Sequence, residues 1–168
     1  MSELTVPAVL GEVVGYRKFQ VRGEQLRSLV KDCTWIPGTN EAYCPTGPRK
    51  VKLWRNTADG IELDKQRVHT RIPDPDCNCG FWFYQDAQLA AAQAGPISLF
   101  AFSFAFGGAP EPERLTVLAR IAGWGRVIEG TDGWRSEFAR VHALLTDEPE
   151  RYERIIGIYG LEVEPSPV

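Results

Sequence analysis

The sequence predicts an α+β fold: a bent antiparallel sheet or partial β-barrel, two short helices, and a zinc site that bridges two loops. Three observations lead there. Twelve prolines and sixteen glycines divide the chain into short segments, which favours strands over long helices. Two stretches, about residues 84–94 and 148–159, carry strong helix formers between start and stop signals. Four cysteines include a Cys77-x-Cys79-Gly80 turn, a compact way to present two thiols. The length of 168 residues suits one domain, 1–168, large enough to bury about two-thirds of its unfolded surface.

Each element follows from local pattern. Glu12–Gln20 and Gln25–Val30 read as strands joined by a turn at Val21–Glu24. Trp35 to Asn40 is a turn-rich loop in which Pro37-Gly38 suits a type II turn. Residues 45–48 form another loop. Val51–Trp54 and Ile61–Leu63 read as strands around an Asp59-Gly60 turn. The first helix, Tyr84–Ala94, has Asp86 near its start and Gly95-Pro96 at its end. Leu115–Glu129 reads as a buried strand bulged near Gly123 and Gly125. A turn at Thr131–Gly133 returns the chain as Trp134–Leu145, a strand by its alternation, with helix the competing assignment. Glu148–Tyr159 is the second helix, with Pro149 in its first turn. Gly160 stops it before a last strand, Leu161–Val163.

Composition narrows the function. With 43% hydrophobic and 24% charged residues the chain is globular, not disordered. A net charge of -3 leaves no strong basic field for non-specific nucleic-acid binding. The charge is uneven: nine basic and five acidic residues up to position 55, three and eight over 56–113, seven and nine thereafter. The first third therefore carries a local positive excess, most simply a solvated face. No leader-like segment opens the chain, and the longest apolar run, Ile97–Pro110, is shorter than a membrane span. The expectation is a soluble cytoplasmic protein with no membrane partner. In a reducing compartment, clustered thiols more often bind metal than form disulfides.

The chemistry concentrates in His69–Gly80, HTRIPDPDCNCG. Two thiolates on one tight turn select a soft ion such as Zn²⁺, and a closed structural site needs four ligands. Cys44, in a second loop, and His69 complete a Cys₃His set with Cys77 and Cys79. Such a site leaves no position for water, so the metal is structural and its binding energy becomes folding energy. Cys33 is the remaining thiol, either a small buried apolar side chain or a replacement for His69 in a Cys₄ set. The competing view makes Cys77 and Cys79 packed thiols and His69 a surface residue.

Several pieces together resemble a family of small proteins from actinobacteria and their phages. They are Gly15-Tyr16-Arg17, Trp35-x-Pro37-Gly38 with Ala42-x-Cys44, and His69 through Cys77-x-Cys79-Gly80-Phe81. Further along come Gly125-Arg126-Val127, Gly133-Trp134-Arg135-x-Glu137-x-Ala139 and Ile158-Tyr159-Gly160-Leu161. The resemblance spans nearly the whole chain apart from about residues 96–115. It implies a shared fold and the Cys/His site, a phage–host setting, and no activity.

Three other features compete for function. In Leu99–Phe106, a strand would place Phe100, Phe102, Phe104 and Phe106 on one face. That face is either core or a surface for a protein partner. Lys50 and Lys52, with Trp35 and Trp54 as stacking platforms, would suit a small-barrel nucleic-acid module. Trp124, Trp134, Arg135 and Glu137 would suit a small-molecule pocket, although Arg135 and Glu137 on one strand face more simply pair with each other. His142 has no nucleophile beside it, and no catalytic or phosphate-cradling motif is present. The expected function is therefore a non-catalytic protein-binding or adaptor domain with a structural zinc.

Overall fold

The computed structural model describes residues 11–29, 33–44, 50–57, 60–68, 71–75, 77–93 and 115–167. Strands β1 (Val13–Arg22) and β2 (Gln25–Ser28) form an antiparallel hairpin. Its turn is tighter than expected, because Val21 and Arg22 already pair with Leu26 and Gln25. β3 (Thr34–Trp35) pairs antiparallel with β2, and β4 (Asn40–Glu41) pairs instead with β9 (Gly133–Leu145). The loop between them is closed by one side chain. Asn40 Oδ1 accepts from the Ile36 amide at 2.8 Å, while its Nδ2 donates to the carbonyls of Ile36 and Gly38 at 3.0 and 3.2 Å.

β5 (Lys50–Thr57) and β6 (Gly60–Val68) form a two-stranded antiparallel sheet of their own. Both run further than the expected strands, because their charged ends carry little apolar patterning. β7 (Phe81–Tyr84) comes next and takes Tyr84 from the expected helix. Helix α1 (Ala87–Ala92) begins at Asp86, whose Oδ1 accepts from the amides of Gln88 and Leu89 at 2.7 and 3.0 Å. This cap is worth about 1 kcal/mol. At the other end Lys18 Nζ donates to the Ala91 carbonyl at 3.0 Å. That places a cation at the negative end of the helix.

β8 (Thr116–Glu129) and β9 make the longest hairpin, with the expected irregularity between Trp124 and Val127. A 3₁₀ turn (Pro149–Tyr152) leads into α2 (Glu153–Tyr159), which Gly160 ends at φ 62°. This helical crossover returns the chain in the original direction, so β10 (Glu162–Glu164) pairs parallel to β9. The sheet is therefore mixed, mainly antiparallel with this one parallel pair among the described strands.

The eight-stranded sheet runs β10-β9-β7-β1-β2-β3, with β4 on β9 and β8 against both β1 and β9. β7 pairs with β9 over four residues and meets β1 at the single pair Tyr16–Tyr84. The sheet bends back on itself through β7 without becoming a closed barrel. Glycines permit this approach. A Cβ at Gly15 would lie 2.3 Å from the Tyr84 carbonyl oxygen, and one at Gly133 2.1 Å from that of Phe83.

The core fills the inside of the bend. Trp35, 1% exposed, meets Phe19 edge-on at 5.0 Å and Phe81 at 4.6 Å between ring centres. Each such buried ring contributes about 1.5–3 kcal/mol. Leu26, Ile121, Leu144 and Ile155 complete it. A smaller cluster of Ala90, Leu118 and Leu145 seats α1. The segment with Phe100, Phe102, Phe104 and Phe106 lies outside the described residues.

Two alanine substitutions separate packing from propensity. Gly15→Ala must displace β7 backbone and is expected to cost about 3 kcal/mol or more. Gly157→Ala, in α2 with nothing within 4 Å of the new methyl, is expected to add about 0.5–1 kcal/mol. Urea denaturation of both variants reads the two signs directly.

Candidate metal centre

The site is built from two loops that converge beside β9, where β4 and β7 pair with it. Cys44 follows β4, which continues its attachment to β9 through the Ala42 amide to the Glu137 carbonyl at 2.8 Å. The second loop, 71–80, precedes β7. Its Ile72–Pro73 peptide is cis, and Pro73 and Asp74 are buried. A turn closes from the Cys77 amide to the Asp74 carbonyl at 3.1 Å. The Asp74 amide in turn donates to Cys79 Sγ at 3.4 Å. Gly80 ends the turn at φ 102°, where a Cβ would stand 2.9 Å from Pro73 Cβ. Only glycine accommodates both that dihedral and that contact.

The result is a cluster of three thiols. Cys44, Cys77 and Cys79 place their sulfur atoms within 4.8 Å of one another. Cys44 Sγ and Cys77 Sγ are 3.8 Å apart. Two sulfurs bound tetrahedrally at ~2.3 Å stand about 3.8 Å apart, so this pair already has the spacing of one edge of a zinc site. Cys79 is 1% exposed, while Cys44 and Cys77 are half-buried. Burial, and then the neighbouring Cys44 thiol, push the Cys77 thiol up to about 11. A dication would reverse that preference, because the thiolate is the form that binds.

Arg135 holds the loop. It lies on β9, is 7% exposed, and donates from Nη1 to the carbonyls of Asp74 at 3.1 Å, of Cys77, and of Cys79 at 3.4 Å. Its guanidinium also sits over the Trp82 ring, 4.8 Å from the centre. Burial lowers its pKa, and the Cys79 and Cys77 thiols oppose the shift. Negative sulfur thus favours this buried cation.

The other candidates are distributed differently. Glu137 does not pair with Arg135; its Oε2 accepts from the Arg126 amide at 3.1 Å, across the irregularity in β8. Trp134 packs on Phe83 at 5.8 Å while Arg135 packs on Trp82. Successive strand residues face opposite ways, so Trp134 and Arg135 do not line one pocket. Trp124 stacks on Phe138 at 6.1 Å and 23°, with Arg140 over it. A cleft of about 450 Å³ lies elsewhere, beside α1, with Lys18, Thr116, Asp147 and Tyr152 on its walls. Trp35 belongs to the core and offers no stacking platform. Lys50, Lys52 and Trp54 lie along β5. Cys33 packs against the main core, its Sγ 3.8 Å from the Thr34 carbonyl, and is not in the thiol cluster. His69 lies outside the described residues. The clamping role of Arg135 is not legible in the sequence alone. Its signal is the Trp82–Arg135 register, which needs β7 to be recognised first.

No protein-family model matches the chain, and neither does any curated protein or solved structure.

Arg135→Gln removes the charge and most of the donor fork. Loss of charge-assisted bonds to buried carbonyls is expected to cost about 2–3 kcal/mol in urea denaturation. His142 gives a pH signature. Burial, then Arg140 and Arg120, lower its pKa from 6.5, and its Nε2 lies 3.1 Å from Arg140 Nε. As pH falls through 6.5, the unfolded chain takes up this proton first, so stability falls until the lower folded value is reached. It is fully present above 6.5. Thermal melts from pH 7.5 to 5 are expected to show a smaller decline in His142→Gln than in the parent chain.

Proposed function

We propose that this chain is a non-catalytic binding or adaptor domain whose recognition loops are ordered by a structural zinc. The observation that carries the reading is the thiol triangle, with its 3.8 Å Cys44–Cys77 edge and three sulfurs within 4.8 Å. Three soft donors from two loops suit Zn²⁺ better than a hard cation. His69 is the fourth ligand of this proposal, giving the closed Cys₃His set of a structural site. The Asp74 amide on Cys79 and the Arg135 clamp are the outer partners such a site uses to hold its ligands in place.

The binding role is supported by what the cluster would order. Tyr43, 63% exposed, directly precedes Cys44, and Trp82, 45% exposed, covers Arg135. Exposed aromatics on a fixed loop and on the short strand beside it are suited to a protein partner. The Phe100–Phe106 segment is a second candidate surface on sequence grounds, and the phage–host setting comes from the family resemblance. A domain ordered by one buried metal needs no open coordination position.

Elemental analysis of the untagged chain tests the metal. We expect about one zinc per chain, lost together with cooperative folding in Cys77→Ser. His69→Ala is expected to weaken zinc binding by roughly 10-fold or more, measured against a chromogenic chelator. A folded chain without zinc, whose stability chelators leave unchanged, would falsify the reading.

A further inference from the structure

We infer that Cys44 and Cys77 form a redox-sensitive pair that joins as a disulfide under peroxide and expels the metal. The inference concerns regulation of the same site, and so rests in part on the metal reading.

Two features of the cluster point to this pair. The first is distance: Cys44 Sγ and Cys77 Sγ are 3.8 Å apart, so closing to a bond of ~2.05 Å requires side-chain rotation and a small loop shift. Both residues lie in loops, outside the strands, so no ladder opposes that shift. The second is access: Cys44 and Cys77 are half-buried, whereas Cys79 is 1% exposed. Cys79 also accepts the Asp74 amide at 3.4 Å. A Cys77–Cys79 disulfide would compress a two-residue spacing into a strained ring.

The oxidant is hydrogen peroxide. One thiolate attacks a peroxide oxygen, breaking the O–O bond and releasing hydroxide, and becomes a sulfenic acid. The second thiolate attacks that sulfur, forming the S–S bond and releasing a second hydroxide. Across both steps the two sulfurs lose two electrons and the peroxide gains them. A disulfide sulfur is a poor zinc ligand, so the site falls from three thiolates to one and the ion leaves. A thiol reductant restores both thiols and the site.

The test uses the full zinc-loaded chain. Peroxide is added with a chromogenic zinc indicator, and non-reducing peptide mapping is then carried out. The expected result is release of the bound zinc together with a Cys44–Cys77 linked peptide, both reversed by dithiothreitol and re-addition of zinc. Retention of zinc with all thiols intact overturns the inference, as does a disulfide mapped to Cys33 or Cys79, or irreversible oxidation without a linkage. The same mapping on metal-free chain separates the two readings. A chain that takes up no zinc overturns the metal reading. The presence of the Cys44–Cys77 peptide after peroxide then supports the redox pair, and its absence overturns it.

Discussion

The local architecture depends on one buried guanidinium. Arg135 leaves β9 and reaches the carbonyls of Asp74, Cys77 and Cys79. Burying this cation is costly unless its donors are satisfied. The loop offers carbonyls and, where thiols ionise, negative sulfur, and β7 offers the Trp82 face. Truncating the side chain would leave those carbonyls without their donor, a heavier penalty than the net worth of the bonds themselves. The loop is therefore shaped around the arginine, and the Cys-x-Cys turn takes its position from it.

A second node binds the far side of the sheet. Arg17 donates to Ser28 Oγ at 2.9 Å and to the Trp82 carbonyl. Trp35 Nε1 donates to the same Ser28 Oγ at 3.2 Å, and the Trp35 carbonyl accepts the Tyr159 hydroxyl at 2.5 Å. Burial lowers the Arg17 pKa to about 10, still high enough to keep the charge at neutral pH. Trp82 thus sits between two arginines, its carbonyl on Arg17 and its ring on Arg135. A short strand of four residues is tied from both sides, which explains how β7 holds the bend of the sheet.

The legible parts of this structure are those with local causes. The hairpins, the Asp86 cap, the Gly160 stop and the bulge after Trp124 each arise from residues close in sequence. The Cys-x-Cys-Gly turn is equally local. Cys44 is reached by counting soft ligands, although 33 residues separate it from Cys77. The differences concern faces and partners. Trp35 has the composition of a stacking platform, yet three elements close over it. Arg135 and Glu137 share a face in principle, but Arg135 turns to the carbonyls of the 74–79 loop and Glu137 to the Arg126 amide of β8. β7 has no counterpart among the expected elements: the expected helix takes its last residue, Tyr84, and leaves Phe81–Phe83 unassigned. Its Phe81–Trp82–Phe83 alternation, buried, exposed, buried, is nonetheless a strand pattern.

The thiol cluster also answers a problem of strand length. β4 has two residues and β7 four, and both pair with β9, at 138–139 and 133–136 respectively. Such short ladders supply few hydrogen bonds against the entropy of ordering their loops. Cys44 follows one of these strands, and Cys77 and Cys79 precede the other. A metal across them would cross-link the two strands where both leave β9. It would also close a 33-residue span, which contains the β5–β6 hairpin. Loop-closure entropy grows only slowly with such a span, so the hairpin adds little to the cost of closing it. The proposed ion would then act through the unfolded chain as well as the folded one, by making the attachment of β4 and of β7 a single event.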